Sequence, residues 1–141
     1  MQSFVLQYSV RPNEYPAAFL ELAEAVKEIR NNSKKWNIDP DQVMVCGFSA
    51  GGHVCGCLGT MWNTELIRTC ISKDTNIVRP NGMLLCYPVI SFGQYGHSEC
   101  IQNLLGKQMS DQMKKMVSLE NKVTNLTVLL SSGENHQLTS D

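Results

Sequence analysis

The sequence predicts an α/β fold in which crossover helices connect the strands of a mainly parallel sheet. Two observations carry this prediction. Short runs rich in β-forming residues alternate with helical patterns, and one of these runs, Val43–Cys46, is continuously apolar. Alternating strands and helices are typical of parallel sheets, because a parallel pair of strands needs a long crossover connection. A continuously apolar run is typical of a strand that is buried on both faces.

Four strands are expected along the chain. The first contains the run Phe4-Val5-Leu6, and the others are short apolar segments that end at turn residues or polar loops. The predicted strands cover residues 3–10, 42–46, 82–87 and 126–130.

The expected helices lie between these strands. Phe19, Val26 and Ile29 belong to a series with the three- and four-residue spacing of an amphipathic helix, which should fade near residues 31–33. A second helix should run from the turn at residues 47–51 to about Met61. The remaining segments are read as surface helix and loop at 63–81, short helices at 101–105 and 111–116, and a loop tail at 131–141.

Length and composition bound the class of protein. The chain has 141 residues, a length that fits one domain, so residues 1–141 are expected to form a single domain. It is 43% hydrophobic and 18% charged, with a formal net charge of -1. This balance is typical of a soluble globular protein, and no basic stripe predicts a nucleic-acid partner.

The cysteines suggest a reducing compartment. The chain has six cysteines, no C-x-x-C pair, and several of them lie in apolar runs. Buried free thiols in a cytoplasmic protein are therefore expected, in agreement with a start that does not resemble a signal peptide. The alternative is a metal site made by His53, Cys55 and Cys57. Residues two apart on a helix point to different faces, so no metal is expected.

One segment has the length of a membrane span. Val43–Trp62 contains no Asp, Glu, Lys or Arg. It does contain five glycines, together with Ser49 and His53. A strand, a tight turn and a buried helix explain these residues better, so no membrane contact is expected.

The pentapeptide Gly47-Phe48-Ser49-Ala50-Gly51 matches G-x-S-x-G between a predicted strand and a predicted helix. A sharp strand-to-helix turn would project the Ser49 hydroxyl above the sheet, as a candidate nucleophile. Side chains two residues before or after the serine are expected to collide with backbone, which explains Gly47 and Gly51. The backbone N–H of Ala50, at the start of the helix, is the expected first donor of an oxyanion hole.

The helix after Ser49 is unusually rich in glycine. Gly52, Gly56 and Gly59 would each cost about 1 kcal/mol relative to alanine inside a helix. Close approach of the helix to the sheet is the expected reason for keeping them.

Several segments around the pentapeptide resemble one family. They keep a fixed order and lie at residues 37–40, 45–53, 79–82, 87–91, 103–106, 118–120 and 123–124. In these segments the chain resembles bacterial α/β-hydrolase esterases of the acetyl-esterase, acetylxylan-esterase and feruloyl-esterase-like group. The resemblance extends to about Leu130 and implies a partial α/β-hydrolase fold.

The resemblance also implies that pieces of the enzyme are missing. In the family a His-Gly-Gly stretch precedes this region and supplies a second oxyanion donor, and no such stretch occurs here. The strand that carries it would lie between the strands predicted at 3–8 and 42–46. Those two strands must then pair directly, leave a gap, or take a strand from a partner.

The family's acid and histidine are not matched either. Asn135 stands at the position of the acid and cannot carry its charge, whereas the neighbouring Glu134 is a candidate. The family's histidine would follow after the end of the chain. His136 is too close to the acid position for the usual geometry, His97 is a candidate for substrate contact, and His53 is expected to pack on its helix.

The predicted activity is hydrolysis of a carboxylic ester, with a short acyl group or a carbohydrate-linked one, through an acyl-enzyme on Ser49. The isolated chain is expected to have weak or no activity, because parts of the machinery are absent. No cofactor is expected, and a homo-oligomer is one expected assembly. Two alternatives stay open: a non-catalytic hydrolase-like protein that binds a ligand or partner, and a truncated gene product without a stable fold.

Overall fold

A computed structural model describes residues 1–10, 12–93, 102–103, 110–120, 122 and 127–131. The helices and strands that it describes are, in chain order, α1 (Ala17–Asn31), α2 (Ser33–Trp36), β1 (Met44–Phe48), α3 (Ala50–Met61), α4 (Glu65–Cys70), a 3₁₀ helix (Thr75–Val78), β2 (Gly82–Cys86), α5 (Asp111–Val117) and β3 (Thr127–Ser131).

The strands form a parallel sheet with the order β1-β2-β3. Their registers are in step, because Phe48 is paired with Cys86 and Cys86 with Ser131 at the carboxyl end of each strand. The helices α3 and α4 connect β1 to β2, and α5 lies between β2 and β3. The predicted α/β class, with a parallel sheet and crossover helices, is confirmed.

Three of the four predicted strands are present, with shifted ends. β1 begins and ends two residues later than predicted, because its pairing with β2 continues through Phe48. β3 includes Ser131, which had been assigned to the tail, and residues 132–141 lie outside the described residues. The helices predicted up to Met61 and at 111–116 are confirmed. Most of the helix predicted at 101–105 lies outside the described residues.

The strand predicted at residues 3–10 is wrong, since residues 1–10 form no strand or helix. Side-chain contacts hold this segment instead. The Gln2 amide donates to the Trp36 carbonyl at 2.7 Å, and the Ser9 N–H and hydroxyl donate to the Glu21 carboxylate at 2.6 and 2.5 Å. An extended segment becomes a strand only when it pairs with the backbone of a neighbouring strand, and no strand among the described residues pairs with this segment.

A cavity of about 520 Å³ separates the segment 4–8 from β1. Of the three arrangements expected for a missing strand, the described chain shows the gap. Just before β1, the Val43 carbonyl accepts from the Asn81 N–H and the Val43 N–H donates to the Asn81 side-chain oxygen. Just after it, the Ser49 N–H donates to the Cys86 carbonyl, so alternate residues along this segment bond toward β2. The N–H and C=O groups of the residues between them face the gap.

The expectation that the strand is buried on both faces is wrong for the described chain. Val45 and Gly47 are buried, but Met44 and Phe48 are 56% and 57% exposed. Among the described elements, α1 and α3 pack together, and α3 covers one face of β1 and β2. The opposite face stays uncovered within the described residues, so burial alternates along the strand.

The main core lies between α1, α3 and the covered face of the sheet. Phe19, Ala23 and Val26 of α1 are buried there with Leu58 of α3 and Leu85 of β2. Burial of such apolar surface is the main stabilising contribution to a fold of this kind. The core therefore fixes the position of α3, whose first residue follows Ser49.

Candidate active site

The chain bends sharply at Ser49. β1 ends at Phe48, α3 begins at Ala50, and Ser49 between them has φ 51° and ψ -116°. A positive φ is unfavourable for a residue with a side chain, so surrounding contacts must hold it. The Ser49 N–H donates to the Cys86 carbonyl at 3.0 Å, and the Ser49 carbonyl accepts from the His53 N–H at 3.1 Å. These bonds join the bend to the end of β2 and to the first turn of α3.

The glycines around Ser49 have different roles. A Cβ atom on Gly47 would lie 2.3 Å from the Gly51 carbonyl oxygen, so the expected collision at Gly47 is confirmed. A Cβ atom on Gly51 would meet only the Tyr8 hydroxyl, at an ordinary 3.6 Å, so the collision expected there is wrong. The close approach occurs one residue later, because a Cβ atom on Gly52 would lie 2.9 Å from Pro88 Cβ.

The prediction of close approach by α3 is confirmed at two of its glycines. Besides Gly52, a Cβ atom on Gly56 would lie 2.6 Å from Leu119 Cδ1. The partners are thus the segments that follow β2 and α5, in addition to the sheet. Glycine at these positions lets α3 sit deep enough to place its first turn at the sheet edge.

The first turn of α3 presents free backbone donors beside Ser49. Ser49 and Ala50 are exposed. The His53 N–H is the first of α3 with an acceptor in its own helix, the Ser49 carbonyl. The N–H groups of Ala50, Gly51 and Gly52 come before it and have no such acceptor. The Ala50 N–H is therefore the donor nearest along the chain to the Ser49 hydroxyl, at the positive end of the helix dipole.

The segment after β2 is clamped onto this bend. The Val89 N–H donates to the Ser49 carbonyl at 3.4 Å, and His53 Nδ1 donates to the Val89 carbonyl at 2.8 Å. A carbonyl only accepts, so the Nδ1 atom carries the proton and Nε2 is an acceptor. The Cys57 thiol lies 3.2 Å from Nε2, and the ring of Phe92 packs edge-on at 4.7 Å.

His53 is a packing residue, as expected, and both of its ring nitrogens are occupied. Its side chain is 2% exposed. Burial lowers the pKa of His53 to about 4, although its bond to Val89 opposes this shift and the nearby Lys122 adds to it. His53 is consequently neutral at pH 7 and does not offer a free base to Ser49.

The sequence named Glu134 as a candidate acid, His136 as an improbable base and His97 as a candidate for substrate contact, and placed Asn135 at the position of the acid. His97, Glu134, Asn135 and His136 lie outside the described residues. Within the described part of the chain, no group of three or more His, Cys, Asp or Glu side chains could hold a metal ion. Cys57 lines a cavity that lies between α1 and α3, whereas Cys55 lines the cavity between β1 and the segment 4–8. These two thiols therefore face different sides, as expected.

The expectation of buried thiols is only partly correct. Cys55 and Cys57 are buried and free, whereas Cys46 and Cys70 are free but exposed. Burial raises the pKa of both buried thiols to about 12. They are therefore protonated at neutral pH and poor nucleophiles. Cys100 lies outside the described residues.

A cavity of about 370 Å³ lies between α1 and α3 and reaches Ala50. We call it the α1–α3 cavity. Its walls are mainly apolar and include Phe19, Val54 and Phe92, and Tyr8 and Glu14 also contribute to its lining. Burial raises the pKa of Tyr15, a further lining residue, to about 12.

Sequence reasoning missed the residues that hold the bend. Cys86, Pro88 and Val89 contact it through backbone or ring atoms, and the sequence motif contains none of them. The available signal was topological: the ends of neighbouring parallel strands meet at one edge of a sheet, so residues after β2 were candidates for contact with Ser49.

No helix in the described part of the chain is long and apolar enough to cross a membrane. A parallel sheet with crossover helices and a sharp strand-to-helix bend are features of the α/β-hydrolase fold. A family model described as alpha/beta hydrolase fold matches residues 4–139. The chain belongs to this α/β-hydrolase family.

Two curated proteins are similar in sequence. An endo-1,4-beta-xylanase B of Butyrivibrio fibrisolvens is 36% identical over an alignment 139 residues long, and the match covers 90% of this chain and 20% of the relative. An acetylxylan esterase of Xylanibacter ruminicola is 33% identical over 106 residues, or 74% of this chain and 20% of the relative. The chain thus spans about a fifth of the length of each of these relatives.

Solved structures agree with the fold. An acetyl ester-xyloside bifunctional hydrolase from Caldicellulosiruptor lactoaceticus superposes with a TM-score of 0.73 at 27% identity, covering 90% of this chain and 58% of that one. A truncated carbohydrate esterase from gut microbiota has a TM-score of 0.67 at 20% identity, covering 84% of this chain and 50% of that one. Only part of the fold of these proteins is present here.

Proposed function

We propose that this chain is part of a carboxylic-ester hydrolase in which Ser49 is the nucleophile. The observation that carries the proposal is the bend at Ser49, which leaves its side chain exposed at the carboxyl edge of the sheet with φ 51°. Gly47 and Gly51 belong to this nucleophile elbow, and the Ala50 N–H is the proposed oxyanion donor. Strain of this kind in a functional turn is typical of sites that hold a reacting group ready.

The proposed chemistry is acyl transfer in two steps. The Ser49 oxygen forms a bond to the ester carbonyl carbon, its proton passes to a base, and the alcohol leaves with a proton as the C–O bond breaks. Water then attacks the acyl-enzyme, releases the carboxylic acid and restores the hydroxyl group. During both steps the Ala50 N–H donates to the negative oxygen of the tetrahedral intermediate.

The proposed substrate is an ester with a short acyl group or a carbohydrate-linked ester. The names of the relatives support this choice, since one is an acetylxylan esterase and another an acetyl ester-xyloside hydrolase. No cofactor takes part in the proposed mechanism. We further propose a cytoplasmic protein that forms homo-oligomers.

The isolated chain should be a weak catalyst. One oxyanion donor fewer lowers the rate by about a hundred- to a thousandfold, and without a histidine base the serine is poorly activated. In the described residues the one buried histidine near the bend, His53, is held by Val89 and Cys57. Because His53 is not free to act as a base, the second candidate function is a non-catalytic hydrolase-like binding protein. This candidate holds if Ser49 does not react with ester-like probes.

A fluorophosphonate probe tests the proposal. We expect one label per chain, located on Ser49 by peptide mass spectrometry, with slow turnover of p-nitrophenyl acetate. Ser49→Ala should abolish labelling, while the control Ser3→Ala, in the segment without secondary structure, should keep it. A folded chain that remains unlabelled would contradict the proposal and support the second candidate, a non-catalytic binding protein. A chain without a cooperative thermal unfolding transition would support the truncated product instead.

A further inference from the structure

The α1–α3 cavity begins at the residue that follows Ser49. Ala50, Val54 and Cys57 line it, and these residues lie on one face of α3. The helix rises about 10 Å over the seven residues from the first of them to the last. The cavity therefore leads from the bend along α3 toward the core.

The walls of this cavity suit an uncharged, apolar group. Phe19, Val54 and Phe92 are buried apolar residues in its lining, and His53 on the same wall is buried and hydrogen-bonded. Among the described residues of the lining no side chain is cationic, and the carboxylate, Glu14, is exposed. A sugar would exchange hydrogen bonds to water for contacts with a mainly apolar wall, and an anion would find no cationic side chain among the described lining residues.

The size of the cavity exceeds what an acetyl group fills. An apolar cavity of about 150 Å³ is large enough to bind benzene. The α1–α3 cavity, at about 370 Å³, is more than twice as large. An acetyl group on Ser49 would leave most of it without a partner, whereas a longer chain would bury its methylene groups along α3.

We infer that the α1–α3 cavity receives the acyl part of the ester, and that this part is an uncharged apolar chain longer than acetyl. The inference rests on the proposed function, because it needs an acyl group attached to Ser49. It departs from the acetyl group that the names of the relatives suggest. The alcohol part remains on the exposed side of Ser49.

The test compares p-nitrophenyl hexanoate with p-nitrophenyl acetate on the full 141-residue chain. Release of p-nitrophenol and the mass of the acylated chain give the acylation rate, with Ser49→Ala as background. We expect the hexanoate to acylate Ser49 at least tenfold faster than the acetate. Equal rates, or a faster reaction with acetate, would overturn the inference while leaving the proposed function intact. Acylation by neither ester would contradict the proposed function itself.

A pair of variants on α1 locates the effect. Ala18 lines the cavity, whereas its neighbour Ala17 is not among the lining residues. Ala18→Leu should lower the hexanoate rate at least fivefold and the acetate rate much less, because it fills space that the longer chain needs. Ala17→Leu should change neither rate. If Ala18→Leu slows both esters equally, or neither of them, the acyl chain does not occupy this cavity and the inference fails.

Discussion

Gly47 and Gly51 look equivalent in the sequence motif but are not equivalent in space. A side chain on Gly47 would enter the carbonyl group of Gly51, which is backbone and has no freedom to move away. A side chain on Gly51 would touch only the Tyr8 hydroxyl at an ordinary distance. The motif has glycine at both positions, but a steric clash with backbone requires it only at Gly47.

This difference predicts opposite effects of two matched substitutions. Gly47→Ala should lower the free energy of unfolding by about 3 kcal/mol, since overpacking against backbone is expensive. Gly51→Ala lies in the first turn of α3, where alanine is the better helix former, and should leave stability unchanged or raise it by up to about 1 kcal/mol. Urea denaturation measures both values. Equal losses in the two variants would contradict the geometry described for the bend.

His53 predicts a specific pH dependence of stability. Its pKa is about 4 in the folded chain, against an ordinary value of 6.5, mainly because burial disfavours the charged form. The unfolded chain binds the proton more readily than the folded chain does. The stability that depends on neutral His53 is therefore fully present above about pH 6.5 and is lost as the pH falls through 4. The shift corresponds to a loss of about 3 kcal/mol.

Urea denaturation at pH 7 and pH 4 measures this loss. His53→Gln removes the titrating group. The free energy of unfolding of this variant should therefore fall less between pH 7 and pH 4 than that of the wild-type chain, by most of the predicted amount. The carboxyl groups titrate in both proteins and cancel in the comparison. An identical loss in the two proteins would show that His53 is not buried as a neutral group.

At the scale of elements, the sequence predicted best where a local pattern and its neighbours agree. β2 and α3 were placed almost to the residue, because each has a clear apolar pattern and an evident stop signal. The segment 3–10 has an equally strong strand pattern but forms no strand. Its pattern describes one strand, whereas a strand exists only with a neighbour, and no local pattern reports that neighbour.

The sequence likewise predicts only part of the candidate site. Ser49, its bend and the start of α3 follow from the strand–turn–helix context of the motif. The hydrogen bond between His53 and Val89 does not follow from the motif, since it joins residues 36 positions apart through a backbone carbonyl. A carbonyl group is present at every position, so no residue type marks it in the sequence. Only the order of the strands brings it beside Ser49.

At the scale of the whole molecule, β1 exposes both apolar side chains and one edge of its backbone within the described residues. Met44 and Phe48 expose more than half of their surface, and Phe4 and Val5 expose apolar surface on the other wall of the gap. Backbone groups on the gap side of β1 are unpaired within the described residues. An open strand edge next to exposed apolar side chains is a template for pairing with another chain.

We therefore predict that β1 drives self-association of the isolated chain. Analytical ultracentrifugation should show a dimer or larger species at concentrations of tens of micromolar. Met44→Lys places a charge on the edge strand and should shift the chain toward monomer, because a charge on an edge strand opposes pairing. Met116→Lys introduces the same charge at an exposed methionine of α5, distant in sequence from β1, and should leave the distribution unchanged. A monomeric wild-type chain, or an equal response of the two variants, would show that the edge of β1 does not mediate the association.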